Sequence, residues 1–543
     1  MEGLVQNIIS DTSYEFSKNI AAFQETYGSR VVFSELNNDD LREKLWQRLF
    51  ECLSDNLQSS LHHSCLSVLR ILSRDKTKLN ELITDERLGI IIDKAALKNM
   101  DAKEHTYTNV TIEALKLLFN LIFNSTNVQE ILLKTSCLQC LIERIKNYSD
   151  DIPYEIMLFD TRIVFLITAL NIATRQIIKT ELNGDKCLVK LLENITSREE
   201  KSHIIKEGNV ILLCEMLKAL FNLYMNSDNT TEDVKNDLVL TLRRLLLSKC
   251  EKEDDFHSNI ANLLMVMPYD CYSVMIPLSK EKHKQIYQNK DMSAIYVLLK
   301  FLDRRLDNKN DLIGNLAPVV TTLIRMVKAE RLIRKYTRLQ ILPPLRDVMH
   351  RPEEGTTLRA KLCKLLTSPV VEVRDLVAEF LFILCKENVA RMVKYTGYGN
   401  AAGMFANKGL LGSSRKKLTY SSESEDSETE EYLKHKEQIN PVTGCFEHPK
   451  PNPLEGMSEE QKEYEALQLV GLVDKLTRFA LLFIYEYNII RFDVYNIFGY
   501  FREGVVHPCR IGDDGRPKPI EHVLELQEEL PKQQYTRQDS DSD

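Results

Sequence analysis

Three stretches of this chain say nearly the same thing: Glu113–Thr126 (EALKLLFNLIFNST), Arg162–Thr174 (RIVFLITALNIAT) and Glu215–Asp228 (EMLKALFNLYMNSD). Each sets a Phe-Asn or Leu-Asn pair on an apolar pattern with the period of an α-helix. The asparagines Asn120, Asn171 and Asn222 stand 51 residues apart in both steps, from 120 to 171 and from 171 to 222. A unit of that size cannot bury its apolar face alone, so copies must stack. The fold class this predicts is all-α: an armadillo/HEAT-repeat superhelical solenoid, an architecture that binds more often than it catalyses.

The helical period continues on both sides of the three stretches. Asp39-Asp40-Leu41-Arg42-Glu43-Lys44-Leu45-Trp46 opens an amphipathic helix with an acidic start. Cys65–Lys76 (CLSVLRILSRDK) resembles the later repeat helices, with Ile71 near the Asn position and Arg70 and Arg74 alongside. Asn259–Met267, Ala294–Asp303, Ile313–Ala329 and Val370–Cys385 keep the period and lose the Asn, which fits a change from armadillo-like to HEAT-like units. Residues 1–400 therefore read as solenoid. Five glycines in Gly397–Gly412 read as its end. Residues 401–456 read as a Gly-rich turn followed by an acidic linker containing Ser421–Glu431 (SSESEDSETEE), and 457–478 as a helix that starts on a Ser458 cap. Residues 479–501 form an atypical aromatic block, and 502–543 a flexible tail.

The Asn ladder admits two readings. Asn is a mediocre helix former because its amide competes for backbone hydrogen bonds, so a repeated Asn needs a repeated job. It can line a concave groove and bind the backbone of a peptide, or it can lie buried and tie one repeat to the next.

Composition limits the function. The net charge of −8 argues mildly against broad nucleic-acid binding. The N-terminal MEGLVQNIISDTSYEF has no basic n-region and does not read as a signal peptide. The twelve cysteines fall mostly inside apolar helical patterns, which predicts reduced, packed thiols and a cytoplasmic chain; Cys137 and Cys140, a lone CxxC, read the same way. No Walker A loop, strand-flanked GxGxxG, HExxH or GxSxG is present, and adjacent His62 and His63 diverge on a helix. The expectation is a non-enzyme with no cofactor and no metal.

The acidic run has a second feature. Ser422 has Glu425 at +3 and Ser427 has Glu430 at +3, the spacing that acid-directed kinases of the casein-kinase type read. Phosphorylation adds roughly −1.5 to −2 charges per site. A basic helix upstream, with Arg331, Arg334, Lys335 and Arg338 followed by Arg346, is the candidate acceptor onto which the linker folds back.

Longer strings identify a family. Lys394-Tyr395-Thr396-Gly397-Tyr398-Gly399-Asn400-Ala401-Ala402-Gly403, Asn440-Pro441-Val442-Thr443-Gly444 and Pro451–Lys462 (PNPLEGMSEEQK), with Leu342–Asp347 (LPPLRD) and Leu72–Asp75 (LSRD), resemble the synembryn family from about residue 35 to 478. The resemblance implies a cytosolic chaperone and guanine-nucleotide exchange factor for heterotrimeric G-protein α subunits; a cytoplasmic monomer, recruited to the plasma membrane or cell cortex, is the expectation. It implies that the C-terminal helix of the α subunit enters the concave groove at positions matching Arg70, Arg74 and Asn120. Repeat equivalence extends the site to Asn171 and Asn222. It also matches the family's phosphorylated pair to Ser422 and Ser427, and the helix from 458 to a segment reaching over the α subunit. A generic armadillo-type peptide scaffold or transport adaptor is the alternative. Importin-type grooves pair the Asn ladder with repeated Trp and acids, whereas this chain has Trp46 alone and two arginines in the groove. The block Phe479–Phe501 departs from the family pattern. It carries Glu486, Arg491 and Asp493, which disfavours a membrane span. It reads either as an amphipathic helix or, the favoured reading, as translated non-coding sequence.

Overall fold

A computed structural model describes residues 1–10, 15–37, 40–99, 107–149, 151–199, 204–225, 232–279, 285–308, 310–410, 429–448, 456–469, 509–511 and 517–519. The chain forms two compact units, Met1–Ile333 and Arg334–Asp543. The boundary falls inside the helix Arg331–Ile341.

The first unit is a two-layer stack of helices. One layer is a row in which each member packs on the next: α1 (Glu15–Tyr27), α2 (His62–Leu72), α3 (Asn109–Asn124), α4 (Tyr154–Leu170), α5 (Glu207–Tyr224), α6 (Glu253–Val266) and α7 (Leu312–Ala329). Behind it runs a second layer, in which Cys137–Lys146 packs on Gly184–Glu199, that on Glu232–Leu247, and that on Ser293–Asp307. The repeated strings are α3, α4 and α5, so the predicted all-α solenoid is what forms.

The row helices are apolar on more than one side because neighbours cover them fore and aft. In α3, Leu115, Leu118, Leu121 and Ile122 are fully buried. Each such side chain contributes about 1.5–3 kcal/mol on leaving water. The corners are made by single polar residues. Ser125 ends α3 by donating its N–H to Leu121 O, and its hydroxyl accepts from Val128 N at 3.2 Å to start Thr126–Leu133. Asn171 does the same after α4, accepting from Thr174 N at 3.2 Å. α7 is long and apolar enough to cross a membrane by composition, but its Leu316, Val319, Val320 and Leu323 are buried in the stack.

One buried ion pair welds three segments of this unit. Arg144 donates to both oxygens of Asp160, at 2.8 and 2.6 Å, and to the carbonyls of Ala95 and Ala96. Tyr148 adds a third donor to Asp160 at 2.8 Å. Burial alone would lower the Arg144 pKa, but Asp160 outweighs it and holds the guanidinium charged.

The second unit corrects the expected glycine-rich turn. Tyr398–Asn407 is a helix, because Ala401, Met404 and Phe405 recur at helical spacing and are buried. Gly397, at φ 73°, makes the turn before it. The second half of the supposed linker is also structured. Thr429 caps the helix Glu430–His435 and donates its hydroxyl to Leu345 O. The hairpin of Ile439–Asn440 and Cys445–Phe446 follows, with Phe446 N donating to Val348 O at 2.7 Å. Its turn clasps the new helix: Tyr398 N donates to Pro441 O at 2.8 Å and Gly399 N to Val442 O at 2.9 Å. Those are free N–H groups of a helix start, satisfied by a hairpin turn from far along the chain.

Candidate ligand face

The half-exposed residues of the row share one side. From α2 come Arg70 and, two residues past its end, Arg74; from α3, Lys116, Phe119 and Asn120; from α4, Phe159, Arg162 and Phe165; from α5, Glu215, Lys218 and Phe221. Helical spacing puts the members from each helix on one stripe. Phe119 meets Phe159 edge to face at 6.4 Å. The cations lie over the rings: Lys116 and Arg162 at 5.8 and 5.3 Å from Phe159, and Lys218 at 5.6 Å from Phe165. Such contacts are worth about 0.5–1 kcal/mol each where exposed.

The carboxylates sit beneath. Glu113 is 5% exposed and pairs with Arg70 at 2.5 Å and Lys116 at 3.5 Å. Glu215 is 12% exposed and pairs with Arg162 at 3.6 Å and Lys218 at 3.4 Å. The cations above them are 27–38% exposed. The face thus offers aromatic rings and net positive charge to an elongated ligand. Among the described residues no His, Cys, Asp and Glu cluster suits a metal ion.

Arg70, Arg74 and Asn120 come together. Arg74 donates to Gly28 O at 2.6 Å and Arg30 O at 3.1 Å, and burial followed by the neighbouring Arg70 charge pushes its pKa down. Asn120 Nδ2 donates to Arg70 O at 3.2 Å and Ser73 Oγ at 3.4 Å. Asn222 repeats this one step further along, donating to Phe165 O and Thr168 Oγ1, both at 3.2 Å, and is 6% exposed. Both amides therefore tie a helix to the one before it. The Oδ1 of half-exposed Asn120 accepts no hydrogen bond from the described residues. Asn171 differs: it is the corner residue equivalent to Ser125, so equal spacing does not give it an equal place.

The basic face is likewise divided. Arg331 and Arg346 are exposed, and Arg334 and Lys335 are half-buried. Arg338 is buried with its guanidinium 5.9 Å from the Tyr395 ring, which removes it from an open phosphate-accepting face. Ser422, Ser427 and the block 479–501 lie outside the described residues, as does the predicted helix beyond 469. Cys137 and Cys140 are buried, and burial pushes the Cys137 thiol up to about 12, as suits packed, unreactive thiols.

The aromatic rings and the carboxylate–cation sets were missed in the sequence. Their signal was present: Glu113, Lys116, Phe119 and Asn120 recur in identical order as Glu215, Lys218, Phe221 and Asn222.

A helical-repeat solenoid with a cationic, aromatic face along one row of helices is the class that the structure defines. A family model described as guanine nucleotide exchange factor synembryn matches residues 65–484. A relative named Chaperone Ric-8A, from Xenopus tropicalis, is 36% identical over 539 residues, covering 95% of each chain. Another named Chaperone Ric-8, from Drosophila melanogaster, is 35% identical over 564 residues, covering 93% of each. A designed armadillo repeat protein is similar to 51% of this chain and 98% of its own at 14% identity, with a TM-score of 0.35. The chain belongs to the synembryn family.

Proposed function

We propose that this protein is an exchange factor and folding chaperone for heterotrimeric G-protein α subunits, and that it captures the last helix of the α subunit along the α2–α5 face. The observation that carries the reading is the alignment of Arg70, Arg74 and Asn120 with a run of half-exposed phenylalanines, all inside the family-matched residues. A helix C-terminus carries partial negative charge and, at a chain end, a carboxylate; guanidinium groups suit both. The rings accept the helix's apolar side. The free Oδ1 of Asn120 accepts an N–H from the ligand backbone. Exchange then needs no covalent chemistry: a partner that prefers the nucleotide-free state shifts the α subunit toward it, and nucleotide affinity falls reciprocally.

The test is GDP release from purified α subunits of each class, intact and lacking the last ~18 residues, about five helical turns. Acceleration confined to intact subunits is the expected result. No acceleration for any class sinks the exchange function.

We further propose that an acidophilic kinase modifies Ser422 and Ser427, and that the phosphorylated chain folds back toward Arg331, Arg334, Lys335 and Arg346. The link Thr429–Leu345 supports this, since it tethers the chain two residues after Ser427 next to Arg346. Alanine at both serines with unchanged heat stability and partner affinity after kinase treatment refutes it.

A further inference from the structure

The face carries the same charged device twice. Arg70, Glu113 and Lys116 join α2 to α3, and Arg162, Glu215 and Lys218 join α4 to α5. In each, one nearly buried carboxylate holds two more exposed cations, so each set presents a net charge of about +1. Between them lies Phe159, with Lys116 leaning over it from one set and Arg162 from the other.

We propose that the two sets are cationic stations that select a ligand by the spacing of its acidic groups. The inference rests on the groove reading above and names what the groove measures. The stations are two helix steps apart in the row. Packed helices lie 8–10 Å apart, so the stations stand roughly 16–20 Å apart. At 1.5 Å rise per residue, that distance matches about 11–13 residues of a ligand helix. The preferred occupant is an amphipathic helix that ends in a free carboxylate at Arg70 and carries a second acid about 12 residues earlier, facing Arg162 and Lys218. Its apolar side lies on Phe119, Phe159 and Phe165. A helix with its internal acid elsewhere leaves the second station to its own glutamate and gains nothing from it.

The experiment uses the full chain and two fluorescein-labelled 18-residue peptides based on the last helix of a G-protein α subunit. Both end in a free carboxylate and carry one internal Glu, placed about 12 or about 6 residues before the end. Anisotropy titration at low salt reads the affinities. The 12-spaced peptide should bind about fivefold tighter, the worth of one part-exposed ion pair. That preference should vanish in Lys218→Gln, a substitution at a half-exposed position that keeps the side-chain stem, and should shrink as salt rises. Equal affinities for the two peptides, or a preference that survives in Lys218→Gln, overturns the spacing rule and leaves the groove reading standing. Failure of both peptides to bind overturns the two together.

Discussion

The first unit and the second hold themselves together in opposite ways. Along the row, neighbours are joined by side chains at repeated positions, such as Asn120 on Arg70 O and Asn222 on Phe165 O. In the second unit, the clasp joins distant segments by backbone alone, at glycines that let the chains approach. A Cβ on Gly444 would stand 2.8 Å from Pro352 Cγ and 3.0 Å from Gly397 Cα. The difference teaches where each region tolerates change. A repeated side-chain tie has copies elsewhere and fails locally. A backbone clasp occurs once and fails as a whole.

The contrast can be broken most sharply at a buried ion pair of the first unit, Arg144–Asp160. Asp160→Ala strands the buried Arg144 charge and should cost about 3–5 kcal/mol, measured by urea unfolding of the first unit. A cost under about 1 kcal/mol would mean that the weld is no stronger than a surface pair.

Next is Gly444→Val. A side chain at φ 72° displaces Pro352 and the Gly397 backbone, and should cost about 3 kcal/mol. Limited proteolysis should then cut the second unit while the first keeps its resistance. Equal protection of both would dissolve the distinction drawn above.

His257 offers a pH test confined to the first unit. Burial, and then the Arg304 charge, push its pKa down to about 4, so the folded chain holds it neutral against Phe301. The unfolded chain binds a proton near the ordinary value of 6.5. Its stabilisation is therefore present above about pH 6.5 and is lost as pH falls toward 4, by about 3 kcal/mol in full. His257→Gln should flatten that part of the pH–stability curve; a curve unchanged in shape would show that the ring is not the group titrating.

The smallest effects compare the two matched asparagines. Asn222→Ala should cost about 1 kcal/mol of stability. Asn120→Ala should cost a similar amount and, in addition, weaken peptide binding, because its Oδ1 is free. If both variants bind ligand as wild type does, the ladder is purely a tie between helices.

Much of this was legible in the chain. The helical period and the repeat gave the stack, because apolar burial follows position along a helix and nothing more. The Asn ladder was legible as a repeat but not as a set of roles, since hydrogen-bond partners come from the neighbouring helix. Asn171 shows the limit: one local shift of register makes it a corner residue like Ser125. Gly397 and Gly399 misled because glycine marks both turns and close approaches, and only the partner turn at Val442 and Thr443 tells them apart. Arg338 misled because a helical stripe of basic residues does not reveal that Tyr395 covers one of them.

The clasp also orders events in time. The helix that begins at Tyr398 receives its N-terminal partners from Pro441 and Val442. A ribosome adding about 5–20 residues per second needs a few seconds to make the intervening stretch. During that interval the first unit is complete and the second is open. A chain built this way spends part of its own synthesis with a helix end waiting for a turn that has not yet been made.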